Sequence, residues 1–375
     1  MSNPAQSVLL GLDLQELTAL VVENGQPSFR GKQLADGVYR QRVENTGLIT
    51  TLPQTFREAL TREGHNIGWP TILKRFVSRD GTIRYLVGFA DGESVETVWM
   101  PEGDGGEAGD GTDAYEDIAE QHPHDWHRAT ICVSSQVGCA VNCQFCLTAK
   151  LGVQRNLTPG EIVGQVLIIL RDQNVNIESE RINLVFMGMG EPFLNYDNFM
   201  KAVRLLAQEV GIPESRMTVS TAGIAPRIED FGREPIRPKL AISLNGSNDE
   251  VRESVMPLNR KWDLAQLLAA AKAFPLRNRE RLTFEYVLLD GVNDAPENAR
   301  EVVRLLSGIR AKVNLIALNP GPDIPYGTPR HDRVEKFQGI LIDADIPAFI
   351  RRPRGRDIYA ACGQLKRTEE LVTIG

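Results

Sequence analysis

From residue 130 onward, short apolar runs alternate with longer amphipathic stretches, and that alternation leaves few folds open. The runs ATICVSSQ, INLVFMG, RMTVST, KLAISLN, LTFEYVLLD and KVNLIALNP read as strands, with another near PAFIRRP. Between them TPGEIVGQVLIILRDQ, WDLAQLLAAAKAF and PENAREVVRLLSGI carry helical spacing. Such βα repetition specifies a parallel sheet. Six or so units fall short of the eight that close a full barrel, so the expected fold is α/β, a partial (β/α)6 barrel of the TIM type. Its chemistry belongs at the carboxyl ends of the strands.

Upstream the pattern differs. Residues 1–70 show helix-like spacing in LDLQELTALVVENG and FRGKQLADGVYRQR, which reads as a small helical domain. Residues 71–101 hold strand-like runs punctuated by Asp80-Gly81 and Asp91-Gly92, dipeptides that favour tight turns. A short antiparallel sheet ending at Glu96 is expected there. Residues 102–126 carry nine acidic side chains and no Lys or Arg, and read as a mobile, solvated surface insertion. The net charge of −7 argues against a phosphate-rich partner, but removing those nine from the 49 acidic residues leaves 40 against 42 basic ones. The 127–375 segment then forms the barrel. No apolar run approaches the roughly 18 residues of a spanning helix, and MSNPAQSVLLGLD lacks a signal-peptide pattern, so a cytoplasmic protein without a membrane partner is expected.

Five cysteines are too few and too crowded for a disulfide framework, since three lie within eight residues. Cys139, Cys143 and Cys146 form a C-x3-C-x2-C loop directly after the first expected barrel strand. Three thiolates can hold three irons of a 4Fe-4S cubane and leave the fourth open. An open iron can chelate the amino and carboxylate groups of S-adenosylmethionine (SAM) and pass an electron to its sulfonium. The competing reading is a structural zinc site, completed by Cys132 or His127.

Beyond the cysteine loop, the ordered run of CVSSQVGCAVNCQFCLTAKLGVQRNLTPGEIVGQV, MGMGEPFLN, TVSTAG, AISLN, LNRK, EYVLLDGVND, NLIALNP and AACGQL resembles the RlmN/Cfr family of radical SAM RNA adenosine methyltransferases, nearer its RlmN branch, across nearly the whole chain. The resemblance implies a radical SAM partial barrel that uses two SAM molecules to methylate carbon 2 of adenosine 2503 in 23S rRNA and of adenosine 37 in certain tRNAs. A methylated cysteine is the intermediate and an electron donor such as flavodoxin feeds the cluster. The Cfr-like alternative methylates carbon 8; a zinc-stabilised RNA-binding protein without catalysis is the alternative from outside the class.

By the same resemblance Cys362 is the cysteine that carries the methyl group, and Cys132 resolves the adduct through a transient disulfide with Cys362. Glu96 matches the carboxylate that accepts the carbon-2 proton. Read without the family, Cys362 is better explained as buried apolar filler, Cys132 is equally compatible with core, and Glu96 reads as a solvated strand-edge acid. Gly190 and Glu191 match the turn that meets the SAM amino group, and Ser220, Ser243, Leu244, Asn245 and Asn319 match contacts to its ribose, carboxylate and adenine. Asn245 departs from the family, where His is common, so a backbone contact is expected there. Arg351, Arg352, Arg354 and Arg356, with Lys150 and Arg155, form a basic patch suited to RNA phosphates. His122, His124 and His127 in the acidic stretch are expected to bind nothing. A monomer is expected.

Overall fold

The structure, a computed structural model, describes residues 8–101, 126, 128–322 and 324–365. Among the described residues there are twelve strands: β1 (Thr71–Val77), β2 (Ile83–Gly88), β3 (Ser94–Pro101), β4 (Arg128–Cys132), β5 (Gln136–Gly138), β6 (Val153–Asn156), β7 (Arg181–Phe186), β8 (Met217–Thr221), β9 (Lys239–Ser243), β10 (Leu282–Leu288), β11 (Ala311–Ala317) and β12 (Ala348–Ile350). All but β5 and β6 join one ten-stranded sheet, in the order β1-β2-β3-β4-β7-β8-β9-β10-β11-β12. From β4 to β12 every pairing is parallel. The first crossover helix, Pro159–Asp172, starts where its sequence says it should: Thr158 accepts from the Glu161 N–H, Glu161 accepts from the Thr158 N–H, and Pro159 takes the first helical position.

The expected partial α/β barrel is therefore observed, with helices between successive parallel strands. Period-two alternation along β10 and β11 sends Phe284, Tyr286, Val313 and Leu315 into the apolar core, while Thr283, Glu285, Lys312 and Asn314 turn to the barrel interior. The helices before residue 70 are not packed apart. Leu9, Leu17, Val21 and Val38 share one continuous apolar cluster with Ile162, Val166 and the barrel strands.

Two expectations change. The antiparallel sheet does not end at Glu96, because β3 continues to Pro101 and pairs antiparallel with β4, joining the hairpins to the barrel. A strand edge left at Glu96 would present unpaired backbone groups, and β4 supplies their partners. The run ATICVSSQ is two elements. β4 stops at Cys132, after which β5 and β6 form a separate antiparallel pair flanking the cysteine loop. The acidic stretch 102–125 and its histidines, with His127, lie outside the described residues.

Candidate active site

The three loop cysteines sit between β5 and a short helix, Leu147–Lys150. Backbone hydrogen bonds fix the loop: the Cys139 N–H donates to the Gly152 carbonyl at 2.9 Å, the Gln144 N–H to Val255 at 2.9 Å, and the Cys146 N–H to Cys143 at 3.1 Å. Cys139, Cys143 and Phe145 pack against an apolar wall of Val141, Ala222, Val255, Met256, Leu289 and Leu318. Burial pushes the Cys139 thiol up to about 12, and burial with the neighbouring Cys146 and Cys139 pushes Cys143 well above its ordinary value. Cys146 is raised by burial as well. Thiols so placed ionise only when a cation compensates them, which suits a metal-bearing group.

Among the described residues no three His, Cys, Asp or Glu side chains converge tightly enough to hold a single metal ion. A cubane asks for a wider triangle, because each thiolate binds a different iron. Two thiols on an apolar wall and a third, Cys146, near Cys143, with no fourth in the loop, fit that group.

Glu191, buried and expected at the SAM amino group, holds two loops together: its Oε1 accepts from the Phe193 N–H at 3.0 Å and its Oε2 from the Ala222 N–H at 2.7 Å. Burial pushes its carboxyl up to about 7, so a ligand ammonium nearby would favour its charged form. Gly190 is required for a local reason, since φ is +97° and a Cβ would meet the Gln136 backbone nitrogen at 2.6 Å. Ser220 and Ser243 face each other across β8 and β9 with hydroxyls 3.4 Å apart. The Leu244 N–H donates to the Glu285 carbonyl at 2.9 Å. Asn245 adopts φ +54°, and its side chain is committed: Oδ1 accepts from the Val287 N–H at 2.8 Å and Nδ2 points to the Met256 sulfur at 3.1 Å.

Sequence reasoning passed over Arg252. Its guanidinium, fully buried, donates to the carbonyls of Leu244 (3.0 Å), Ala222 (2.7 Å) and Ser243 (3.3 Å) and to Asn259 Oδ1 (2.8 Å), tying the loops after β8 and β9 to one strut beside Cys143. Burial lowers it to about 10. It falls between the motifs AISLN and LNRK, and no sequence signal marked it.

A cavity of about 760 Å³ fills the barrel interior and is lined by Cys132, Cys146, Asn319 and Cys362 together. Cys132 closes β4 opposite Val98 of β3. Cys362 reaches the cavity on a loop fastened to the cluster helix: the Leu147 N–H donates to the Gly363 carbonyl at 2.7 Å and the Thr148 hydroxyl to Leu365 at 2.7 Å. All five cysteines are free thiols, so the resting protein holds no Cys132–Cys362 disulfide. Burial, then the facing Cys362, raises the Cys132 thiol; Cys362 is exposed as a residue, but its sulfur is enclosed by the cavity walls and, with the Glu285 carboxylate nearby, its thiol is raised too.

Glu96 is fully buried and does not line this cavity; its carboxylate is ion-paired with the equally buried Arg84, which lies over the Phe76 ring. Its backbone is tied to the cysteine segment, since the Ser134 hydroxyl donates to the Glu96 carbonyl at 2.6 Å. The basic patch divides. Arg351, Arg352 and Arg354 line the cavity, but Arg155 is occupied by Asp91 at 2.6 Å and by a two-pronged bond to Glu161 at 2.8 Å, which removes it from any phosphate role. Lys150 and Arg356 are exposed. No helix among the described residues is long and apolar enough to cross a membrane.

Residues 133–303 match the family model described as Radical SAM superfamily. A probable dual-specificity RNA methyltransferase RlmN of Koribacter versatilis is 66% identical over 350 residues, covering 93% of this chain and 99% of its own length. The dual-specificity RNA methyltransferase RlmN of Nitratiruptor sp. is 42% identical, covering 98% of this chain and 99% of its own. Among solved structures, a radical SAM methyltransferase from Sphaerobacter thermophilus superposes with a TM-score of 0.84 at 41% identity, over 96% of this chain and 100% of that one.

Proposed function

Because the chain belongs to the RlmN family of radical SAM RNA methyltransferases, we propose that it is a dual-specificity enzyme methylating carbon 2 of adenosine 2503 in 23S rRNA and of adenosine 37 in tRNAs. The observation that carries this reading is the meeting of Cys132 and Cys362, 230 positions apart in the chain, in one cavity beside the cluster loop. Carbon 2 of adenine is electron-poor and does not attack a sulfonium methyl, so a protein sulfur must carry the methyl group and present it in activated form.

Cys139, Cys143 and Cys146 would hold the 4Fe-4S cluster, and Glu191, Ser220, Ser243 and Asn319, with the backbone of Gly190, Leu244 and Asn245, would hold SAM. Together, when bound, cluster and SAM supply a radical able to take hydrogen from an S-methyl group. Cys362 is the methyl carrier, on a loop whose carbonyls are held by Leu147 and Thr148 so that its sulfur stays in the cavity. Once the base carries its new carbon, Cys132, having lost its proton, attacks the Cys362 sulfur; the S–S bond forms as the bond from that sulfur to the methylene carbon breaks, and the carbon keeps the electron pair and takes up a proton to become the product methyl group. Returning the pair to thiols takes two electrons, and a separate donor such as flavodoxin feeds the cluster. The carbon-2 proton goes to Glu96 or to Cys132 in this scheme: Cys132 lines the cavity, whereas Glu96 lies outside it in its ion pair with Arg84 and reaches the base only if that pair opens. The enzyme acts as a cytoplasmic monomer, with residues 1–70 as its accessory RNA-binding part.

The test is anaerobic reconstitution, incubation with SAM, a reductant and either an unmodified 23S rRNA fragment or tRNA, and nucleoside mass spectrometry, with Cys362→Ala alongside. Expected is 2-methyladenosine from the wild type alone. Formation of 8-methyladenosine, or of no methylated base by a protein that still cleaves SAM, overturns the assignment to carbon 2; a colourless protein containing zinc overturns the radical chemistry.

A further inference from the structure

The barrel cavity has a second end. The cysteine loop and the SAM residues follow the carboxyl ends of the strands, yet the cavity continues to their amino ends, where Arg181, Arg216, Lys239, Arg281 and Lys312 stand at or next to the first residues of β7, β8, β9, β10 and β11. In all, ten Arg and Lys side chains line the cavity against two carboxylates, Glu280 and Glu285, in a chain that is acidic overall. Glu280 is already engaged by Arg237. Among the described residues Arg181, Arg216, Lys239 and Arg281 form no ion pair. Like charges gathered at one mouth repel each other, so the ring destabilises the empty protein and finds its compensation in an anion. Complementing helix dipoles does not account for it, because that effect fades within a helix's last turn and these residues sit on or beside strands lining the cavity.

The walls above the ring are unusual for a barrel, whose interior is ordinarily filled by branched apolar side chains. Here Thr130, Asn183, Thr218, Thr283 and Asn314 face inward beside Val98, Met100, Met187 and Ile316, leaving an open space of about 760 Å³ whose mixed lining suits an aromatic base with polar edges. Asn314 and Glu285 are paired neighbours on β11 and β10; the Asn314 Nδ2 donates to Glu285 Oε1 at 2.9 Å. The Asn314 Oδ1 is buried without a hydrogen-bond partner, and a buried acceptor left unmatched is costly unless a ligand supplies the donor.

Resting on the RNA methyltransferase reading, we propose that RNA docks across the amino-terminal mouth of the barrel and passes its target adenosine inward, so that the base reaches Cys362 and Cys132 from the end opposite the cluster and gives its amino group to Asn314 Oδ1. The cationic ring takes the flanking phosphates. An unstacked loop nucleotide fits such an entrance, whereas a base inside a duplex has to be extruded first. The amide of Asn314 reads the amine that distinguishes adenine, as Asn does elsewhere on adenine edges.

The experiment uses reconstituted protein under anaerobic conditions and a fluorescent RNA hairpin carrying the target adenosine, titrated by anisotropy across a salt series. The double variant Arg216→Glu/Lys239→Glu is expected to bind at least tenfold more weakly and to flatten the log-affinity against log-salt slope by about two, one per lost phosphate contact. Arg300→Glu, on an outer helix, is the control. If the charge reversals unfold the chain, Arg216→Gln and Lys239→Gln, which keep much of the aliphatic stems, are read on the same series. Replacing the target adenosine by purine riboside, which lacks the amine, weakens wild-type binding and leaves Asn314→Ala indifferent. Wild-type affinity and slope in the mouth variants overturn the docking face, and an equal loss on removing the amine from both proteins overturns the Asn314 contact. A wild type that neither binds nor methylates the hairpin refutes the RNA methyltransferase reading itself.

Discussion

Arg84 and Glu96 are both without exposed surface, on neighbouring strands β2 and β3. Removing one partner strands the other as a buried charge, a loss of about 3–5 kcal/mol, whereas replacing both by apolar side chains of similar volume is often neutral. Arg84→Ala is therefore expected to lower the unfolding free energy measured in urea by that amount, and Arg84→Met/Glu96→Leu to recover most of it. If Glu96 accepts the carbon-2 proton, the double variant stays folded but releases little 2-methyladenosine; full turnover there, read by nucleoside mass spectrometry, shifts the role to Cys132. The sequence marked Glu96 only through its family motif. Nothing in the run IRYLVG marked Arg84 as its partner, because their pairing is set by strand register. Arg252 and Asn314 were equally silent, since a strut or an orphan acceptor exists only once several loops or strands meet around it. The cluster cysteines were legible because their ligand spacing is local.

At the scale of elements, the β1–β2 turn grips the segment that leads to Cys362. Asp80 accepts from the Gly355 N–H at 3.0 Å and the Thr82 N–H at 2.9 Å, and the Ser78 hydroxyl donates to Asp357 at 2.5 Å. Burial raises the Asp80 carboxyl, but the hydrogen bonds from Gly355, Thr82 and Ser78 outweigh it and leave it below its ordinary value. A carboxyl lowered in the folded state contributes stability above its unfolded value of about 4, and that contribution is lost as pH falls through the folded value. Melting curves from pH 7 to pH 3 are expected to drop below about pH 4. Asp80→Asn should lower stability at pH 7 by about 1–3 kcal/mol and flatten the acid limb; an unchanged acid limb in that variant places the titration elsewhere. The same variant loosens the approach to Cys362, so its methylation rate should fall while SAM cleavage without RNA persists. The tether spans more than 270 positions and carries no periodic signal, which is why strands and helices were legible and their fastening was not.

At the scale of the molecule, the helices before residue 70 and the barrel meet along the first crossover helix, Pro159–Asp172. Gly11, at φ +105°, packs so tightly that a Cβ on it would stand 2.8 Å from the Gly160 nitrogen, and a Cβ on Gly160 would stand 2.2 Å from the Leu10 carbonyl oxygen. Arg42 donates to the Val175 carbonyl at 2.8 Å and Lys201 pairs with Glu16 at 2.7 Å across the same junction. One apolar cluster runs through both parts, so neither can open without exposing the other's core. Wild-type protein should therefore unfold in urea with coincident transitions by circular dichroism and tryptophan fluorescence. Gly160→Leu forces side-chain atoms onto backbone that cannot recede without parting the seam, at a cost of about 1–3 kcal/mol or more. The two probes should separate in that variant, with Trp69, whose indole N–H donates to the Val43 carbonyl at 2.8 Å, reporting the earlier loss. Coincident, unshifted curves for Gly160→Leu would mean that the helices and the barrel do not depend on this contact for their cooperativity.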